Sequence, residues 1–90
     1  MDNSIFVDKS QVVCYIIITH YGTFYTGITN NIIRRWNEHV NLKSSYLRKY
    51  IAKEVVFVEF CDDRKKAAKL ERSIKRIGAN KYILKLKHKK

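Results

Sequence analysis

Ninety residues are enough for one domain and one hydrophobic core, with no room for a second. Hydrophobic residues make up 46% and aromatics 12%, which excludes a disordered polar tail, and no apolar run approaches the ~20 residues of a membrane-spanning helix. Lysine and arginine total 19 against 8 acids, a net charge of +11, and such self-repulsion points to an anionic partner, with nucleic acid first among them.

In chain order, residues 1–11 carry Asp2 and Asp8, lack the basic-then-apolar order of a secretion signal, and read as a loose arm. Residues 12–19 are β-branched and aromatic and predict a strand. His20, Tyr21 and Gly22 form a turn, and residues 23–28 predict a second strand, so the pair is a hairpin. Thr29, Asn30 or Asn31 then caps a helix over 31–40, whose apolar stripe is Ile32, Ile33, Trp36 and Val40. Arg35 and His39, four apart, share one edge of that stripe. A short helix over 45–51 and a third strand over 54–60 follow. Asp62 or Asp63 caps a second long helix with Ala67, Leu70, Ile74 and Ile77 inside, Glu71 at the margin, and Lys65, Lys69, Arg72 and Arg76 outside. Gly78 ends it, and a last helix runs over 79–86 before a basic tail at 88–90. The order β-β-α-(α)-β-α-α predicts an α+β domain over 12–87, a small three-stranded antiparallel sheet flanked by helices.

Cys14 and Cys61 are too few for a disulfide scaffold and read as small buried hydrophobes of a reducing cytosol. No CxxC or Cys/His cluster suggests zinc, and no GxGxxG or GxxxxGK suggests a nucleotide cradle.

Tyr15 and Tyr25 on adjacent strands, Arg35 and His39 on the first helix, and Glu71 on a later one are polar residues at the boundary of the core. Phosphodiester hydrolysis needs a hard cation, a positive group on the phosphate and a proton acceptor for water, and these five residues could supply all three. Each also has a structural reading. Strand tyrosines pack, Arg35 can pair with Glu38, His39 can interact with a helix dipole, and Glu71 can pair with Lys75. Periodicity does not choose between the two.

The string Phe24-Tyr25-Thr26-Gly27-Ile28-Thr29-Asn30-Asn31, continuing through Arg34-Arg35-Trp36-Asn37-Glu38-His39, together with Tyr15 and the later Leu70-Glu71-Arg72-Ser73-Ile74-Lys75, resembles the GIY-YIG nuclease superfamily. The likeness is nearest to its small stand-alone branch, similar to the UvrC N-terminal nuclease domain, and runs from about residue 12 to 86. It implies that Tyr15 and Tyr25 are the motif tyrosines, with Gly27 closing the second motif. It further implies that Arg35 is the catalytic arginine, that His39 matches the histidine of related homing endonucleases, and that Glu71 is the metal-binding glutamate. The first motif reads Val13-Cys14-Tyr15 without its glycine, Ile28 stands where several members carry lysine, and Asn80 matches a family asparagine at short spacing.

The resemblance implies a metal-dependent DNA endonuclease. Glu71 would hold Mg²⁺ or Mn²⁺ together with the DNA phosphate, and Arg35 would neutralise the scissile phosphate. Tyr15 or Tyr25 would take the proton of the attacking water, its pKa drawn below the ordinary ~10 by the nearby cations. His39 would relay a proton or orient a phosphate. Lys43, Arg48, Lys49, Lys69, Arg72, Arg76 and the C-terminal lysines would position the duplex by phosphate contacts. No separate recognition module is evident, so low sequence specificity is expected, with repair or recombination of structured DNA as one setting. The alternatives are a non-catalytic nucleic-acid-binding protein that keeps the fold and a basic RNA-associated protein; the oligomeric state is left open.

Overall fold

β1 (Val12–Thr19) is apolar almost throughout, and the fold uses both of its faces. The computed structural model describes residues 12–41 and 50–87. After β1 come β2 (Phe24–Thr29), α1 (Ile32–Val40), β3 (Ala52–Cys61), α2 (Arg64–Ile77) and α3 (Ala79–Lys87). The strands form one antiparallel sheet in the order β2-β1-β3, so the α+β architecture read from the sequence is the one observed. The 1–11 arm, Lys43, Arg48, Lys49, most of the expected 45–51 helix and the 88–90 tail lie outside the described residues.

The hairpin is closed by Thr19. Its backbone N–H donates to Thr23 O at 2.9 Å, and its hydroxyl accepts from the N–H groups of Tyr21 and Thr23, each at 3.2 Å. Gly22 takes φ +82°, a conformation that a side chain would disfavour. The register sets Tyr15 opposite Gly27 and Ile17 opposite Tyr25, which places both tyrosines on one face of the sheet.

That face carries Val13, Tyr15 and Ile17 and is covered by Ile32 and Trp36 of α1. The reverse face carries Cys14 and Ile16 against Leu70 and Ile74 of α2 and Ala79, Tyr82 and Ile83 of α3. Ile16, Ile17 and Ile74 are fully buried, and each such side chain contributes about 1.5–3 kcal/mol.

Capping follows the sequence. Asn31 Oδ1 accepts from Arg34 N at 3.0 Å, Asp63 Oδ1 accepts from Lys66 N at 2.8 Å, and Gly78 ends α2 at φ +100°. Four readings are corrected. Ile33, Val40 and Ile77 are exposed, because contact with the sheet is carried by Ile32, Trp36 and His39 on α1 and by Ala67, Leu70 and Ile74 on α2. Cys61 is half-buried near the end of an edge strand rather than buried like Cys14. β3 is longer than expected at both ends, kept paired to β1 through two register shifts. A helix running through Ile51 is excluded by its φ of +58°, and the Ile51 carbonyl instead accepts from His20 N at 3.1 Å.

Candidate active site

Alternation along β1 and β2 points Tyr15 and Tyr25 toward α1, and the four-residue spacing on α1 brings Arg35 and His39 to meet them. Tyr15 is fully buried, and its hydroxyl shares a 2.8 Å hydrogen bond with His39 Nε2. The Tyr25 ring stands edge-on to the imidazole at 5.1 Å between centroids, and the two tyrosine rings are 6.3 Å apart. Arg35 lies against both phenols: its contacts with Tyr15, then Glu38 and Tyr25, raise its pKa. Arg35 Nη1 donates to Glu38 Oε1 at 2.9 Å.

Gly27 makes this arrangement sterically feasible. A Cβ there would sit 2.7 Å from Tyr15 Oη and 2.9 Å from Tyr15 Cζ. The glycine is required by close approach, since the Tyr15 phenol lies directly over its backbone.

Burial sets the protonation states. The Tyr15 phenol is pushed up to about 12, chiefly by desolvation, although the hydrogen bond from Arg35 works the other way. Of the cations expected to draw a tyrosine down, the Arg35 charge alone does not do so at Tyr15, where enclosure outweighs it and the phenol keeps its proton at neutral pH. His39 is lowered to about 4, by burial first and by the Arg35 charge second, so its imidazole is neutral. Two buried nitrogens have no protein partner among the described residues, Arg35 Nε and His39 Nδ1. An unpaired buried N–H is costly, and in a guanidinium it marks a place where an anion would be welcome.

The low value of His39 has a consequence for stability. As pH falls through 6.5, the unfolded chain binds a proton at this position while the native state does not until about 4. Stability therefore decreases with falling pH over that window, by up to ~1.4 kcal/mol per pH unit. Urea midpoints measured from pH 7 to 5 should fall more steeply for the wild type than for His39→Asn. Equal slopes would mean that His39 is not held neutral.

Glu71 does not join the four residues on the α1 side. Its helix packs on the reverse face, and its Oε2 is 3.3 Å from Lys75 Nζ. Lys75 lines a cleft of about 420 Å³ between the outer edge of β2 and the junction of α2 with α3, together with Phe24, Tyr25, Thr26, Ala79 and Asn80. Tyr25 thus belongs both to the buried cluster and to the cleft, and Glu71 is one ion pair removed from that cleft. Asn80 lines the cleft too, its Oδ1 accepting from Lys81 N at 2.8 Å. Lys69, Arg72 and Arg76 are exposed on α2. Among the described residues no group of three or more His, Cys, Asp and Glu converges; Glu71, the glutamate that the resemblance implies as metal-binding, stands with Lys75 as its ion-pair partner. Sequence reasoning treats Lys75 as a helix-surface partner of Glu71; the four-residue spacing gives that ion pair and carries no signal of the cleft, which comes from packing against β2.

The chain matches the model of the GIY-YIG catalytic domain over residues 11–83. It is similar to a UPF0213 protein of Photorhabdus laumondii, 39% identical over 71 residues that cover 78% of this chain and 68% of that protein. A UPF0213 protein of Desulfotalea psychrophila is 38% identical over 73 residues, covering 79% and 66%, and one of Pectobacterium carotovorum is 37% identical over 75 residues, covering 82% and 76%. The matched segment spans about two thirds of the length of the first two relatives. No solved structure gives a significant match. The paired tyrosines over a closing glycine, the arginine beside them and a family match along most of the chain lead to one conclusion: this protein belongs to the GIY-YIG family of nuclease-type catalytic domains.

Proposed function

We propose that the protein is a Mg²⁺- or Mn²⁺-dependent endonuclease that hydrolyses DNA phosphodiester bonds with low sequence specificity, acting on structured DNA in repair or recombination. The observation that carries this reading is the Arg35 guanidinium, set against two phenols with its Nε buried and unpartnered. A phosphate on the exposed part of the guanidinium would compete with Glu38 for Nη1, a charge-assisted exchange suited to the planar fork.

Glu71 would hold the divalent cation. Its carboxylate is paired with the Lys75 ammonium in the free protein, and a single carboxylate suits an ion that keeps most of its waters. When bound, the ion supplies charge stabilisation at the leaving 3′-oxygen. Of the two phenols, Tyr25 is the one with solvent access; beside Arg35 it would take the proton of the attacking water as it releases its own to solvent. Tyr15 stays protonated and, through His39, holds the neutral imidazole edge-on to Tyr25. The exposed Lys69, Arg72 and Arg76, with Lys43, Arg48 and Lys49, would grip phosphates and confer no base preference. The free thiols of Cys14 and Cys61 suit work in a reducing cytoplasm.

Metal removal is the direct test. Supercoiled plasmid incubated with the protein should be nicked with Mg²⁺ or Mn²⁺ and left intact with EDTA, and Glu71→Ala should not nick. Equal nicking by the two proteins would reveal a contaminant. Retardation of plasmid with no nicking under any metal would show a nucleic-acid-binding protein that keeps the nuclease fold.

A further inference from the structure

Glu71 and Lys75 differ in their surroundings. The carboxylate-bearing side chain is 22% exposed, whereas the lysine is 60% exposed and lines the cleft beside Tyr25. The wetter member of the pair is therefore the cation. An ion pair at this exposure contributes little, so it opens easily, and the four-carbon stem lets the ammonium swing across the cleft. Position 28, directly after Gly27, offers no cation: Ile28 packs with Cys14, Ile16 and Ile74 on the reverse face. Lys75 is thus a positive charge in the cleft at the β2 edge that the reading of the reaction given above leaves without a role.

We infer that Lys75 is an exchangeable counter-ion: it neutralises Glu71 in the free protein, yields the carboxylate to the divalent cation, and then places its own charge on a phosphate of the nucleic acid in the cleft. The inference rests on Glu71 as the metal ligand. Charge counting gives it a definite consequence. The Glu71–Lys75 pair is neutral, and adding a divalent ion leaves a local charge of +2, which a phosphodiester of charge −1 partly relieves. Metal and nucleic acid then strengthen each other's binding, and the free protein holds metal weakly because the ammonium competes for the carboxylate.

The test uses the full chain without turnover. Mn²⁺ uptake is followed by electron paramagnetic resonance for the wild type, Lys75→Met and Glu71→Gln. Duplex binding is measured against salt with Mn²⁺ present. Lys75→Met should bind Mn²⁺ about two- to fivefold more tightly than the wild type when no DNA is present, the fold-change that the strength of such a pair implies. Its duplex affinity should fall, and its salt slope should shrink by about 0.9, one phosphate contact. Glu71→Gln should lose the uptake. If Glu71→Gln takes up Mn²⁺ like the wild type, the metal-ligand reading fails and the inference falls with it. If Glu71→Gln loses uptake while Lys75→Met matches the wild type in Mn²⁺ affinity or in salt slope, the inference about Lys75 alone is overturned.

Discussion

Replacing Arg35 with methionine should lower the rate of plasmid nicking by about 10²–10³-fold, the usual loss when one preorganised positive group or donor is removed from a developing charge. Stability should hardly change. The Arg35–Glu38 pair lies one turn apart on a half-exposed helix edge, where such pairs contribute little, and methionine keeps most of the apolar stem. Arg35→Lys should fall between the two, since it restores the charge and not the two-pronged geometry. A thermal melt alongside the nicking assay separates chemistry from folding. An Arg35→Met protein that melts and nicks like the wild type would remove the central group of the proposed site.

Gly27→Ala should damage stability and activity together. The new methyl carbon would lie 2.7 Å from Tyr15 Oη, and Tyr15 is wholly enclosed, so its rigid ring has no open direction in which to swing. The ring or the β1–β2 ladder must shift, and the 2.8 Å bond to His39 would stretch with it. The cost is on the order of 2 kcal/mol, and in a chain of this size that lowers the melting temperature by roughly 10 °C. The cause can be isolated with a second substitution. Tyr15→Phe removes the atom in closest conflict, so the Gly27→Ala/Tyr15→Phe protein should be more stable than the sum of the single changes predicts. Simple additivity would show that the phenol is not what excludes a side chain at position 27.

Much of this architecture could be read from local chemistry. The alternation in β1 and β2 predicts that Tyr15 and Tyr25 share a face, and the four-residue spacing on α1 predicts that Arg35 and His39 face them. The caps at Asn31 and Asp63 and the stop at Gly78 follow from short polar side chains and a backbone free to take positive φ. What periodicity could not supply was the balance of opposing effects. An arginine beside a phenol suggests acidification, but the enclosure of Tyr15 outweighs it. Ile33 and Val40 lie within an apolar stripe on a helical wheel, but the sheet surface beneath α1 meets Ile32 and Trp36 and leaves those two in water. Nor could spacing along α2 reveal that Lys75 shares a cleft with a tyrosine two strands earlier, because that proximity arises from packing across the β2 edge.

β1 is a wall shared by two cores. The helix that carries Arg35 and the helix that carries Glu71 rest on opposite sides of one pleated ribbon, so neither can tilt without pressing on a backbone that the other also grips. The separation between guanidinium and carboxylate is therefore governed by the thickness of a single ladder rather than by a hinge.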